Sequence, residues 1–162
     1  MGSRLRRWLM NPVTTLRGAE IQTGQTVLEV GCGTGFFTLP AAKLIGDEGC
    51  LVAMDALSDF VEQVLKKVKS ADLKNVRVVK RDALNTGLSA ATIDTTLLFG
   101  VLPWPALHLN RLLPEMHRVL KPEGRLAVWL FPVSGWVPKS ILQSGLFTYV
   151  GKRNGVYNYR RC

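Results

Sequence analysis

The sequence predicts an α/β protein: a mostly parallel sheet of seven strands with helices on both faces, and one antiparallel strand supplied by a hairpin near the C-terminal end. Three observations carry this. From Thr26 onward, short apolar runs alternate with segments of helical periodicity, and strand–helix–strand alternation requires parallel pairing through right-handed crossovers. The first run, Val27-Leu28-Glu29-Val30, breaks into Gly31-Cys32-Gly33-Thr34-Gly35, a turn of nearly bare backbone. Two later runs, Leu146 to Val150 and Val156 to Arg160, flank Lys152-Arg153-Asn154-Gly155, and Asn-Gly between such runs signals a hairpin.

The elements follow in order. Residues 4–10 form a basic arm carrying Arg4, Arg6, Arg7 and Trp8, and Asn11-Pro12 reads as an N-cap with proline at the first helical position. The arm and this short helix, residues 4–19, suit either a membrane or RNA contact or a solvated terminus with Trp8 packed on the domain. After the strand Thr26 to Val30, the glycine turn opens a helix that runs to Ile45 and is closed by Gly46, with Pro40 kinking it or shifting its start. Gly49 to Asp55 is a second strand ending in an acid. Ser58 then caps a helix with Phe60, Val61, Val64, Leu65 and Val68 on one face. Val76 to Lys80 is a third strand, and Asp94 to Phe99 a fourth that ends at Gly100, with room for a helix between them. A long helix carries Leu109, Leu112, Leu113, Met116 and Leu120 and stops at Lys121-Pro122-Glu123-Gly124. Leu126 to Phe131 is apolar without alternation, as a strand covered on both faces should be, and a short helix precedes the hairpin.

Composition narrows the classes. A chain of 162 residues is sized for one domain spanning residues 1–162. Its formal charge of +9, from 21 Lys and Arg against 12 Asp and Glu, suits an anionic partner such as RNA or a phospholipid surface, and also serves solubility. Cys32, Cys50 and Cys162 show no metal-ligand or disulfide spacing, so no metal and a cytoplasmic location are expected. Arginines interrupt the first apolar residues, and Pro103 and Pro105 interrupt the longest uncharged run, so neither a signal peptide nor integral membrane association is expected.

An open α/β sheet binds its ligand at the carboxyl ends of the strands, near the point where strand order reverses. The residues placed there are Glu29, the glycines, Asp55, Asp82 and Gly100. Asp55 lies 20 residues past Gly35, the spacing at which such folds set an acid against ribose hydroxyls. A nicotinamide dinucleotide would satisfy the turn and Asp55. Its third fingerprint glycine is replaced by Phe36, however, and Glu29 would repel a pyrophosphate. S-adenosylmethionine carries an ammonium and a sulfonium and no phosphate, so an acid beside the turn favours it.

At these residues the chain resembles the class I S-adenosylmethionine-dependent methyltransferases, in the branch that includes small-molecule and quinone methyltransferases. The matching blocks, in order, are Leu28 to Gly35, Val52-Ala53-Met54-Asp55, Arg81-Asp82-Ala83 followed by Ile93-Asp94, and Arg118 to Leu126. The resemblance implies a Rossmann-like fold in which Gly31, Cys32, Gly33 and Gly35 form the cofactor turn and Glu29 holds the methionine ammonium. It further implies that Asp55 accepts the ribose hydroxyls beside Ala56, that Asp82 takes the adenine amino group beside Ala83, and that Gly100 passes close to the transferring methyl. Cys32 reads as a small residue filling the turn and not as a catalytic thiol. No general base can be named. His108 and His117 read as helix-surface or structural residues, and Val101-Leu102-Pro103-Trp104-Pro105 departs from the histidine or acid that relatives often carry there. Trp8, Trp104 and Trp136 could wall an acceptor pocket or be ordinary packing aromatics. The expected activity is methyl transfer to a small-molecule or lipid-like acceptor by in-line displacement, from a possible homodimer. An RNA methyltransferase gripping phosphates with Arg4, Arg6, Arg7, Lys152, Arg153, Arg160 and Arg161 is the alternative. A cofactor-binding subunit without chemistry of its own is another.

Overall fold

The computed structural model describes residues 10–102, 108–130 and 135–162. Its strands are β1 (Thr26–Val30), β2 (Cys50–Asp55), β3 (Val76–Lys80), β4 (Ile93–Phe99), β5 (Leu120–Trp129), β6 (Phe147–Arg153) and β7 (Val156–Arg161). The helices are α1 (Pro12–Gly18), α2 (Thr38–Ile45), α3 (Ser58–Ser70), α4 (Leu109–Val119) and α5 (Trp136–Gln143). The strands form one seven-stranded sheet in the order β3-β2-β1-β4-β5-β7-β6. β1 to β5 pair in parallel, and β7 runs antiparallel between β5 and β6. This is the fold expected from the sequence, a Rossmann-like arrangement with its antiparallel strand in the closing hairpin.

Alternation along the strands sorts the helices to the two faces. Leu28, Val30, Val52, Met54, Leu98, Leu126 and Val128 pack with Leu112, Met116 and Val119 of α4 and Val137 and Ile141 of α5. Val27, Leu51, Leu97, Phe99 and Ala127 face the other way, onto Leu16 of α1 and Ala41, Ala42 and Ile45 of α2. Ala53 packs with Val64 and Val68 of α3 on that same side. Both faces are thus covered, which is why β1, β2 and β4 are almost wholly buried.

The differences from the sequence expectation are local. α2 does not open directly from the glycine turn: Phe36 and Phe37 intervene, and the helix begins at Thr38 so that Pro40 falls in the first turn, where no intrahelical N–H is needed. α3 is capped at Leu57 and not by Ser58, with Asp55 accepting the Leu57 N–H at 3.0 Å. Leu65 is 47% exposed and stands outside the buried stripe of α3. The link between β3 and β4 holds no helix; Asp82 and Asn85 close a small bridged turn there instead. β5 begins at Leu120, directly after α4, because Leu120 pairs with Ile93 before the register shifts. Among the described residues no helix is long and apolar enough to cross a membrane.

α1 and the hairpin lock together. Asn11 Oδ1 accepts the Val13 N–H at 2.9 Å, with Pro12 starting the helix. Asn154 and Gly155 take φ values of 50° and 79°, as a two-residue hairpin turn requires. Asn158 Nδ2 donates to the Gly18 carbonyl at 2.8 Å, and Asn154 Nδ2 to that of Thr14 at 2.9 Å. A Cβ on Gly18 would strike the Arg153 carbonyl oxygen and lie 2.9 Å from Val156 Cγ2. Gly18→Ala is therefore expected to push α1 off the hairpin and lower stability by about 1–3 kcal/mol. Urea denaturation reads this directly, and an unchanged midpoint would show that the contact yields without cost.

Candidate functional site

A cavity of about 510 Å³ opens at the carboxyl ends of β1, β2 and β4. β4 lies on one side of β1 and β2 on the other, so the chain leaving β1 and the chain leaving β4 diverge and leave a crevice. Gly31 and Gly33 form one wall, Asp55 and Ala56 the floor beyond β2, and Asp82, Ala83 and Gly100 line it further round. Val30, Met54, Phe60 and Val101 complete an otherwise apolar surface.

Glycine is required at two of these positions for different reasons. Gly31 has φ +69°, and a Cβ there would collide with Val101 Cγ1. Gly33 has φ +54° with nothing within 4 Å of a Cβ position, so its backbone lies bare beside open space. Asp55 fixes the turn: Oδ2 accepts the Gly33 N–H at 3.0 Å, while Oδ1 accepts that of Leu57. Lys67 of α3 reaches over to donate to the Thr34 carbonyl at 2.5 Å. Asp82 Oδ1 accepts the Leu84 N–H at 2.9 Å, and the Arg81 N–H donates to the Asp55 carbonyl at 3.1 Å, which holds the two acidic corners together. The loop beyond is anchored to α4. Glu115 Oε1 accepts from both the N–H and the hydroxyl of Thr86, at 3.0 and 2.7 Å, and its hydrogen bonds from Arg118 hold its carboxyl down to about 2.

Three residues of the expected set lie behind the wall. Cys32 is buried against Ala53, Val64 and Val68, and burial, with the Glu29 and Asp55 charges, pushes its thiol far above the ordinary range. Gly35 packs toward α3, with Val64 Cγ2 3.4 Å from a Cβ position. Glu29 is 3% exposed, its Oε2 accepting the Thr38 hydroxyl at 2.7 Å. Burial pushes its carboxyl up to about 8, against the pull of Thr38, and the Asp55 charge pushes the same way. Phe60, Val101 and Arg81 line the cavity without having been singled out from the sequence for that place. Phe60 belongs to the apolar pattern of α3, which does not distinguish a residue facing a cavity from one facing the core.

The other candidates sit elsewhere. His108 is exposed at the start of α4, where its carbonyl caps the helix, and the His117 ring nitrogen lies 3.0 Å from the Cys162 carbonyl oxygen. Trp136 is 55% exposed at the start of α5, in a groove with Leu113 and Pro114 of α4. Arg153 pairs with Glu20, Arg160 with Glu123, and Lys152 lies over the Tyr157 ring. Arg161 donates to the Leu120 carbonyl. Arg4, Arg6, Arg7, Trp8, Pro103, Trp104 and Pro105 fall outside the described residues.

The pH dependence of Glu29 has a definite sign. Its folded-state value, about 8, stands above the ordinary 4.5, so between those values the folded chain keeps a proton that the unfolded chain has lost. Stability is then unaffected below pH 4.5 and falls by roughly 1.4 kcal/mol per pH unit as pH rises toward the folded value. Glu29→Gln, which removes the titration and keeps an acceptor for Thr38, is expected to be more stable than the parent at pH 8 and to match it more closely at pH 4.5. Denaturant titrations at the two pH values measure the difference; a constant offset would assign the effect to packing.

A family profile described as "Methyltransferase domain" matches residues 27–124. The chain is 35% identical over 114 residues to the demethylmenaquinone methyltransferase of Listeria welshimeri, covering 70% of this chain and 48% of that protein. It is 33% identical over 118 residues to the demethylmenaquinone methyltransferase of Staphylococcus epidermidis, covering 72% and 46%. It thus spans about half the length of these relatives. Among solved structures, the fold is similar to that of a SAM-dependent methyltransferase from Aquifex aeolicus, with a TM-score of 0.74 at 24% identity over 99% of this chain and 98% of that one. It is also similar to geranyl diphosphate C-methyltransferase from Streptomyces coelicolor, solved with S-adenosyl-L-homocysteine, with a TM-score of 0.79 at 12% identity over 98% and 81%. The profile spans β1 to the start of β5 and takes in the glycine turn, Asp55 and Asp82, and by that match the chain belongs to the class I S-adenosylmethionine-dependent methyltransferases.

Proposed function

We propose that this chain binds S-adenosylmethionine in the cavity beside the glycine turn and transfers its methyl group to a small, lipid-like acceptor of the quinone type. The observation that carries the reading is the pairing of bare backbone at Gly33 with two acidic corners, Asp55 and Asp82, on one cavity. That donor set fits the cofactor. Carboxylates accept from hydroxyls and an amine and attract cationic centres, and they would repel a pyrophosphate laid along the same turn. When bound, the cofactor supplies an already activated methyl on its sulfonium.

The residues divide the task of holding it. Asp55 keeps lone pairs free beyond its bonds to Gly33 and Leu57 and would accept the ribose hydroxyls, with Ala56 against the base. Asp82 would accept from the adenine amino group, with Ala83 beneath the ring. Glu29, under the turn, would ionise against the ammonium, which relieves the cost of its burial. Gly100, with φ +70°, lines the cavity where methyl and acceptor would meet, its Cβ position turned to the Trp129 ring. Placement is the main contribution asked of the protein, since orientation of a nucleophile in line with an activated group supplies much of the acceleration. The proposal assigns no general base.

The quinone-type acceptor rests on the names of the relatives, and an apolar rim at Val101 and Phe60 is compatible with it. No comparable observation favours RNA: the hairpin cations are engaged with Glu20, Glu123, Tyr157 and backbone. The test uses methyl-labelled S-adenosylmethionine with fractionated cell extract. Label is expected in the organic-soluble pool; nuclease-sensitive label would overturn the acceptor class. Asp55→Ala is expected to cost about 2–3 kcal/mol of cofactor binding, because a charge-assisted pair of hydrogen bonds is lost. That is roughly 30–150-fold in affinity by calorimetry, and an unchanged affinity would remove Asp55 from the site.

A further inference from the structure

We infer that Arg81 is a cofactor-binding residue, its guanidinium forming a flat cover on the adenine end of the cavity. The inference rests on the reading of the cavity as an S-adenosylmethionine site. Arg81 lines the cavity next to Asp82 and Ala83. Its backbone is fixed where β3 ends, by the N–H donated to the Asp55 carbonyl at 3.1 Å. Its side chain lies on the side to which a Gly87 Cβ would point, and Gly87 has φ +71°. A Cβ position at Gly87 lies 3.6 Å from Arg81 Cζ, 3.7 Å from Nε and 3.9 Å from Nη1. Near-equal distances to three coplanar atoms put that point over the face of the guanidinium and not at its edge. One face is therefore turned toward Gly87, at a distance where an added Cβ would make ordinary van der Waals contact, and the opposite face remains for a ligand.

Among the described residues the Arg81 side chain makes no hydrogen bond or ion pair, although Asp82 is its neighbour in sequence. The Asp82 carboxylate is turned to the Leu84 N–H instead. An unpaired guanidinium beside a cationic cofactor needs an explanation, and position supplies one. The sulfonium and ammonium belong at the glycine turn and Glu29, whereas Arg81 stands at the far end, beside the neutral base. There a planar, weakly hydrated cation can stack on an aromatic ring, which a lysine ammonium cannot do.

The test is calorimetric, with 5′-methylthioadenosine as the probe. It is uncharged and carries the adenosine half without the amino acid. Arg81→Ala is expected to weaken its binding at least tenfold, and S-adenosylhomocysteine by a similar factor. Arg81→Lys should bind no better than the alanine variant, and the parent affinity should change little between low and high salt. Unchanged affinity in Arg81→Ala, restoration by Arg81→Lys, or a steep salt dependence would each overturn the inference, the last two by showing a charge effect in place of stacking. If Asp55→Ala loses affinity while Arg81→Ala does not, only the Arg81 inference falls. If the parent binds neither probe, the reading of the cavity itself falls with it. Arg81 is exposed, so thermal denaturation of each variant checks that the fold is kept.

Discussion

The constraint on which the molecule depends is the reversal of strand order at β1. β2 and β3 are laid down on one side of β1, and β4, β5 and the hairpin on the other. The chain leaving β1 turns toward α2 on one face, and the chain leaving β4 toward α4 on the opposite face. Two neighbouring strands whose exits part in this way cannot close over their own ends. The crevice is a consequence of topology, and the residues at its mouth need only be compatible with it. Gly31 is the point of greatest compression, because there the β1 exit passes directly against Val101 from the β4 exit. Any side chain at that place would separate the two exits and widen the crevice that the remaining residues are placed to line.

Two glutamates show how the same side chain is put to opposite uses. Glu115 is mostly buried but reaches solvent at its edge, takes hydrogen bonds from Arg118 and Thr86, and has its carboxyl held down to about 2. It is an ionised anchor for the loop that carries Asp82. Glu29 is fully enclosed, with Thr38 its sole hydrogen-bond partner among the described residues and no cation facing it, and its carboxyl is pushed up to about 8. Burying an uncompensated carboxyl is a cost that an apolar residue would avoid. A group of this kind gains most from a cation arriving nearby. The unfavourable position of Glu29 is therefore intelligible as a site constraint, and Glu115 as a structural one.

Much of the fold was legible from the sequence because strand alternation and helical periodicity are properties of the elements themselves. Strand identities, the Asn154-Gly155 turn and the Asn11-Pro12 helix start all follow from local residue chemistry. What was not legible depends on partners distant in sequence. Ser58 is a good capping residue, yet Asp55 satisfies the Leu57 N–H and sets the cap one residue earlier. Leu120 fits the stripe of α4 but is drawn into β5 by its pairing with Ile93. At the site, the acids at strand ends could be placed by position, since a strand end is visible in the pattern. Whether a side chain faces the cavity or lies behind its wall could not. Cys32 and Gly35 face α3, and Glu29 lies beneath α2, because of helix packing that no single motif encodes.

The late start of α2 bears on ligand choice more than on folding. A helix opening directly from the glycine turn would aim its free N–H groups at the cavity and favour an anion. Here Phe36 and Phe37 intervene, Phe37 packing edge-on against Phe99 at 5.1 Å and near Trp129 at 5.9 Å. The first helical residue, Thr38, directs its hydroxyl to Glu29. The start of the helix is thus engaged with an internal carboxyl and does not line the cavity. At the glycine turn the cavity meets bare backbone, with the Glu29 and Asp55 carboxyls behind and beside it. A pyrophosphate would find at this turn neither the helix end nor a neutral environment, whereas an ammonium and a sulfonium would find acids. Two phenylalanines that do not line the cavity thus weigh against an anionic ligand at this turn.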